Sequence, residues 1–272
     1  MLSNKISLVK KYIKLSKLRV VELLLVTTVP SMIVSLYSMP PLNLVAYTLI
    51  GGTLLAVSAN VMNQVFEIDR DKLMTRTSDR PLVTGDLQKS SAIIYSIAMG
   101  VIGFMVLYFL TTPTAALIGL IANQFYIFVY TLILKPRTNQ NIVIGGAAGA
   151  APVLIGWTAT GSTLDVGAWL LFLLVFMWTP AHFWALSIEN ESDYKNADFP
   201  MLPTQETHER SSIYIAIYSC ATVLISIAAA PVLQLGIVYL LISISLGTNL
   251  MYKSFSLYKK NIQPIKYFVF SN

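Results

Sequence analysis

Residues 43–82 read NLVAYTLIGGTLLAVSANVMNQVFEIDRDKLMTRTSDRPL. No charge interrupts the stretch before Glu67, and from there acids and bases crowd together as far as Arg80. A helix needs roughly 20 apolar residues to cross a bilayer core of about 30 Å, so the first part is long enough to span. Lipid cannot hydrogen-bond bare backbone, which leaves helices or a closed barrel. The run is far longer than the roughly 10-residue strand of a barrel, so it predicts a membrane helix that ends in a charged loop.

The same reading extends along the chain. Its 272 residues are 55% hydrophobic and 12% charged, where a soluble domain has about 25% charged residues. Eight spans are predicted, at about 20–38, 43–65, 90–110, 114–134, 142–160, 166–188, 211–230 and 233–254, in a single transmembrane domain over residues 1–272. If the spans alternate, all 19 lysines and arginines fall on one side of the membrane, and the opposite loops, 39–42, 111–113, 161–165 and 231–232, carry none. The positive-inside rule makes the charged side cytoplasmic. The net charge of +6 therefore reflects membrane topology, and nucleic acid is not expected as a partner. Cys220 is the one cysteine, so no disulfide forms within the chain. No Ser/Arg-rich leader opens the sequence, which favours a prokaryotic plasma membrane over a mitochondrion. After Lys260 the tail NIQPIKYFVFSN looks like the start of a ninth helix that is too short to span.

Asn63, Glu67 and Asp71 are spaced i, i+4, i+8 and share one face of a helix. Acids at a span end are costly, and like charges four apart repel. A bound cation offsets both costs, and oxygen ligands suit Mg²⁺, which keeps waters and bridges to substrate phosphates. Arg76 and Arg80 follow, and guanidinium forks match phosphate oxygens. A metal–diphosphate site and an ordinary solvated loop both fit this spacing. A second acid pair, Glu189 and Asp193, ends span six on the same side, and two such stations fit a pair of Mg²⁺ ions clamping a diphosphate. His182 lies in the last turns of span six, where it is either functional or a packing residue. Glu22 in span one needs a basic partner. Pro152 and Pro180 are expected to kink their helices. The small residues of IVIGGAAGAAPVLIG, 142–156, permit close helix approach.

Four segments carry a family resemblance: RVVELLLVTT at 19–28, the N-x-x-x-E-x-D-x-D-x-x-M-x-R-T-x-x-R-P-L pattern at 63–82, YTLILKPRTNQNIVIGGAAGAAPVLIGW at 130–157, and HFWAL with DYKNADFPMLP at 182–203. Together they resemble the UbiA superfamily of membrane prenyltransferases, and within it the haem-farnesylating members. The resemblance implies an all-α bundle of nine spans, and this chain stops early in the ninth. It implies farnesyl diphosphate and haem b as substrates, with Mg²⁺ as cofactor, and transfer of the farnesyl group to a vinyl group of haem b. Asn63, Glu67 and Asp71 match the first metal motif, and Glu189 with Asp193 the second. Catalysis falls to Asn63, Glu67, Asp71, Asp193 and Lys135. Arg76, Arg80, Tyr130 and Arg137 fall where the diphosphate is held, and His182 and Trp184, with Trp157, are candidates for the haem side. Membrane lipid, a haem A synthase and terminal-oxidase assembly factors are implied as partners. The sequence departs from the pattern at Leu18 and Ala181, where proline is expected, and at Glu189. A related enzyme acting on an aromatic quinone precursor, and more remotely a transporter or assembly factor, are the alternatives. A transporter is expected to show an internal repeat and mid-span charges, and neither is evident here.

Overall fold

A computed structural model describes the chain from Leu2 to Asn272, with side chains except those of residues 2–7 and 19–25. Glu22 thus lies outside the described side chains. Among the described residues there is no strand. The helices run α1 Leu2–Ser16, α2 Leu18–Leu36, α3 Leu42–Phe66, α4 Ile68–Asp71, α5 Lys89–Leu110, α6 Pro113–Gln124, a π-helix Phe125–Leu134, α7 Asn141–Ala159, α8 Val166–Glu189, α9 Glu191–Asn196, α10 Leu202–Gln205, α11 His208–Val232, α12 Gly236–Tyr258 and α13 Pro264–Phe270. Seven are long and apolar enough to cross a membrane: α3, α5, α6 with the π-helix, α7, α8, α11 and α12. They correspond to predicted spans two to eight. The predicted first span is present as α2, part of which lies outside the described side chains. The chain is a multi-pass helical membrane protein. Helices α7 and α8 continue through Pro152 and Pro180. The tail forms α13, seven residues long.

The chain divides into two compact units, one comprising Met1–Ile133 and Ala151–Thr163, the other Leu134–Ala150 and Leu164–Asn272. In the first, α3 and α5 meet at very close range. A Cβ on Gly103 would stand 2.9 Å from the Gly51 carbonyl oxygen, so only glycine allows this approach. Beside it Ser96 Oγ donates to the Ser58 carbonyl at 2.8 Å. Lipid tails are as apolar as leucine, so such close contacts and interhelical hydrogen bonds, averaging about 0.6 kcal/mol each, drive association. Other ties of this kind are Asn123 Nδ2 to the Leu55 carbonyl (2.8 Å), Gln64 Nε2 to the Leu15 carbonyl (2.6 Å) and Ser31 Oγ to the Val153 carbonyl (2.6 Å). Gly156 faces the Thr28 carbonyl with no room for a side chain, which is the close approach expected of its small-residue stretch. Leu15, Val57, Val61, Val65, Leu82, Leu87 and Ala92 form a core that joins α1 and the 72–88 loop to α3 and α5.

In the second unit α8 packs against α11 and α13, and α11 against α12. Trp184 presents its ring to Tyr218 edge-on at 5.3 Å. Ser219 and the Tyr267 hydroxyl, both buried, are hydrogen-bonded at 2.6 Å.

Candidate active site

The end of α3 builds the first station. The Glu67 amide donates to the Asn63 carbonyl at 3.0 Å and the Asp71 amide to the Glu67 carbonyl at 2.8 Å. Glu67 itself leaves the helical conformation, at φ −101°, ψ 8°, and these two bonds carry the chain through the break between α3 and α4. All three are buried: Asn63 is 2% exposed, Glu67 5% and Asp71 2%. Burying carboxylates is costly unless they are paired or bind a cation.

The partners are supplied locally. Arg80 Nη1 makes an ion pair with Asp71 Oδ2, and Thr77 Oγ1 donates to the Asp71 carbonyl at 2.9 Å. The Arg80 amide in turn donates to the Thr77 carbonyl at 3.1 Å, so the turn after Asp71 folds the arginine back over the acid. Asn63 Nδ2 donates to Thr131 Oγ1 at 3.2 Å, which leaves the amide oxygen as its donor toward a cation. Thr131 comes from the π-helix, and its hydroxyl donates to the Tyr126 carbonyl five residues back, at 2.9 Å. The π-helix itself is invisible in the hydropathy pattern, and Thr131 carries no sequence signal. Tyr130, the preceding residue, packs its ring tilted against Tyr126 with centroids 5.1 Å apart. Arg76 is exposed on the loop.

The loop is fastened from outside. Lys14 Nζ donates to the Asp79 carboxylate at 2.6 Å and to its carbonyl at 2.7 Å, and Lys11 pairs with Asp86 at 2.8 Å. The Lys14 ammonium holds the Asp79 carboxyl below the usual carboxylate range, and Lys11 with Thr84 does the same for Asp86.

The second acid pair is arranged differently. Helix α8 ends at Glu189, Asn190 leaves the helical conformation at φ −108°, ψ 28°, and α9 starts at Glu191. Glu189, just before the break, is exposed, while Asp193 is 8% exposed. As at Glu67, backbone bonds pass through the break: the Asn190 amide donates to the Leu186 carbonyl at 3.1 Å and the Tyr194 amide to the Asn190 carbonyl at 3.2 Å. Glu191, not singled out from the sequence, bridges Lys195 and His208 at 2.6 Å each. Its burial favours the neutral acid, but the hydrogen bonds from Lys195 and His208 outweigh this and hold its carboxyl below the usual range. Lys135 lies over the Phe199 ring, 4.5 Å from its centroid, and Phe199 stands edge-on to Tyr194, which follows Asp193, at 6.5 Å. Arg137 is exposed.

His182 lies where α8 packs against α13. Its ring is stacked between Trp178 at 4.4 Å and Phe268 at 4.2 Å. Its Nδ1 is 2.8 Å from Ser271 Oγ, whose carbonyl accepts from Trp178 Nε1 at 2.6 Å. Both ring faces are thus taken up in docking α13. Trp184 is buried, and its Nε1 has no acceptor among the described residues. Trp157, the other indole weighed for the haem side, donates Nε1 to the Thr163 carbonyl at 3.0 Å.

The residues of the first station fit a divalent ion. Among the described residues no three His, Cys, Asp or Glu side chains converge as a complete cage, but Mg²⁺ does not need one. It is commonly held by one or two carboxylates, waters and substrate phosphates, and Glu67 and Asp71, with the Asn63 oxygen, are such a partial donor set.

The fold thus defines a polytopic membrane protein with a buried acid stripe at a span end. A sequence model of the UbiA prenyltransferase family matches residues 24–271, and the chain belongs to that family. It is 49% identical over 238 residues to the protoheme IX farnesyltransferase of Parafrankia sp. (strain EAN1pec), covering 88% of this chain and 76% of that one. It is 43% identical over 251 residues to the protoheme IX farnesyltransferase of Paenarthrobacter aurescens (strain TC1), covering 92% and 78%. Among solved structures, a UbiA homolog from Archaeoglobus fulgidus bound to GPP and Mg²⁺ superposes with a TM-score of 0.71 at 17% identity, over 96% of this chain and 98% of that one. A digeranylgeranylglyceryl phosphate synthase structure gives 0.78 at 18% identity, over 97% and 92%. These distant structures share the fold, which is the all-α UbiA-type bundle expected from the sequence.

Proposed function

We propose that this prenyltransferase moves a farnesyl group from farnesyl diphosphate to a vinyl group of protohaem IX, giving haem O for haem–copper terminal oxidases. The observation that carries the reading is the buried Asn63–Glu67–Asp71 stripe paired with Arg80, in a chain 41–49% identical to relatives named protoheme IX farnesyltransferase.

The C1–oxygen bond of the allylic diphosphate breaks and its electron pair leaves with diphosphate. The vinyl group attacks C1, water adds to the carbon next to the ring, and one proton is released. Mg²⁺, when bound, neutralises charge on the diphosphate oxygens. Asn63, Glu67 and Asp71 would hold it. Arg80, held beside Asp71 before substrate binds, is placed to transfer its fork to the departing diphosphate, and such preorganised donors stabilise developing charge without reorganising at the moment of reaction. Arg76 and Tyr130 are further contacts for the diphosphate. In the second unit we assign Asp193 as an acid of the same kind, Lys135 and Arg137 as cations for diphosphate oxygens, and Trp184 to the acceptor. The electron-rich vinyl group is the nucleophile, so no side chain has to be one.

The segregation of all 19 basic residues supports cytoplasmic placement of the N-terminus and of both acidic loops, in the plasma membrane of a prokaryote. A haem A synthase or an oxidase assembly factor is the partner class that takes such a product. Purified protein supplied with Mg²⁺, farnesyl diphosphate and haem b, followed by chromatographic separation of haems, is expected to yield haem O. Prenylation of an aromatic quinone precursor with none of haem would overturn the assignment of acceptor.

A further inference from the structure

Helix α1 has three flanks. At about 100° per residue, Tyr12, Leu15 and Ser16 share one face, which is bound to the protein. The Tyr12 ring packs tilted against Tyr95 at 4.8 Å, Ser16 Oγ is 3.0 Å from the Tyr95 hydroxyl, and Leu15 is fully buried. Val9 and Ile13, one turn apart, form the next flank, and both are exposed together with Leu8 in the first turns. Lys10, Lys11 and Lys14 form the third. Lys11 and Lys14 are engaged by Asp86 and Asp79, and Lys10 is exposed.

The position of this helix relative to the bilayer is fixed by the chain itself. Lys17 alone separates α1 from α2, in the left-handed conformation at φ 50°, ψ 50°. With α2 as the first span, as the sequence predicts, α1 ends within a residue or two of the place where the chain enters the membrane. An exposed aliphatic flank at that depth, beside a lysine flank, is the pattern of a helix lying in the headgroup layer. Lysines on the basic side of a membrane protein are attracted by anionic lipid, at about 1 kcal/mol each near the surface.

We propose that α1 is an interfacial helix, with Val9 and Ile13 in the acyl boundary of the bilayer and Lys10 among anionic phospholipid headgroups. Through Lys14–Asp79 and Lys11–Asp86 it fixes the 72–88 loop, and with it Arg80, at a set height above the membrane. The inference concerns lipid contact and stands apart from the identity of the prenyl acceptor.

Spin labels test it at single cysteines made by Val9→Cys, Lys10→Cys and Ile13→Cys, each in a Cys220→Ser background, in nanodiscs containing phosphatidylglycerol. Positions 9 and 13 are expected to be relaxed by oxygen and shielded from a water-soluble nickel chelate, and position 10 the reverse. In pure phosphatidylcholine the labels at 9 and 13 are expected to move toward the aqueous relaxant. Equal nickel accessibility at all three positions overturns the proposal, whether α1 lies in water or has unfolded. Shielding of 9 and 13 from both relaxants assigns the flank to a protein partner and overturns it as well. Identical depths in the two lipids overturn the anionic-lipid contact.

Discussion

The two acidic stations are both acid pairs four residues apart at the end of a span, yet the structure treats them oppositely. At the first station the helix breaks at Glu67 itself, and both carboxylates are buried, with an arginine beside Asp71. At Glu189 and Asp193 the helix breaks at Asn190 and restarts, leaving one acid exposed and one buried. Spacing alone does not make a site. It also depends on where the helix breaks relative to the acids, at Glu67 itself in one station and one residue after Glu189 in the other, and on a nearby group that makes burial of the charge tolerable.

The largest effect that separates the stations is expected at Asp71. Asp71→Ala removes a ligand and leaves Arg80 without its carboxylate, and losing one preorganised electrostatic group costs about 10²–10³ in rate. Haem O formation by the purified variant should fall by at least that factor, and unchanged turnover would remove the first station from the chemistry. Arg80→Met comes next. Removing one partner of a buried pair costs about 3–5 kcal/mol, so thermal unfolding in detergent should shift clearly downward. The Asp71→Asn, Arg80→Met double variant should lose less stability than the sum of the singles; strict additivity would mean that the pair is not coupled.

Thr131→Val sharpens the comparison at the next level. It removes the hydroxyl that orients Asn63, a kind of supporting contact worth about 10–100-fold in metal affinity. The Mg²⁺ concentration giving half-maximal turnover is expected to rise with little change in the maximum. In the second station, Glu189→Ala should leave turnover within about twofold, the usual outcome for an exposed side chain away from packed features, whereas Asp193→Ala lowers it severely. Equal losses at 189 and 193 would restore the symmetric pair.

The smallest effect is on pH. Asp79 and Asp86 have lowered carboxyl pKa values in the folded protein, because Lys14 and Lys11 bond to them. Their contribution to stability is therefore fully present above the ordinary carboxylate pKa of about 4 and is lost as pH falls through the lowered values. Both acids are on the surface, where ion pairs contribute little. Thermal scans of wild type and of the Asp79→Asn, Asp86→Asn variant should differ slightly at pH 6 and converge at pH 3; a gap that widens in acid would reverse the sign and refute the tether.

Much of this was readable in the sequence, for physical reasons. The charge-free run from Asn43 to Phe66 can only be a membrane helix, and the repeat of that pattern placed spans two to eight within a few residues. The Asn63–Glu67–Asp71 stripe followed from helical spacing. What depended on distant partners was not readable. The Lys14–Asp79 contact joins residues 65 apart, and the π-helix that brings Thr131 to Asn63 leaves the hydropathy of its span unaltered. The break at Asn190 turns on one residue's backbone angles. His182 stands out in the sequence as a histidine in a span, but its contacts with Phe268 and Ser271, more than 80 residues away, do not.

The most direct test of the buried stripe as a metal–diphosphate station is a Mg²⁺ titration of diphosphate release, with farnesyl diphosphate and haem b, comparing wild type, Glu67→Gln and Glu189→Gln. Half-saturation is expected to shift upward by about tenfold or more in Glu67→Gln, as for loss of a ligand or its support, and to stay at the wild-type value in Glu189→Gln. A Glu67→Gln protein with wild-type Mg²⁺ dependence would contradict the assignment.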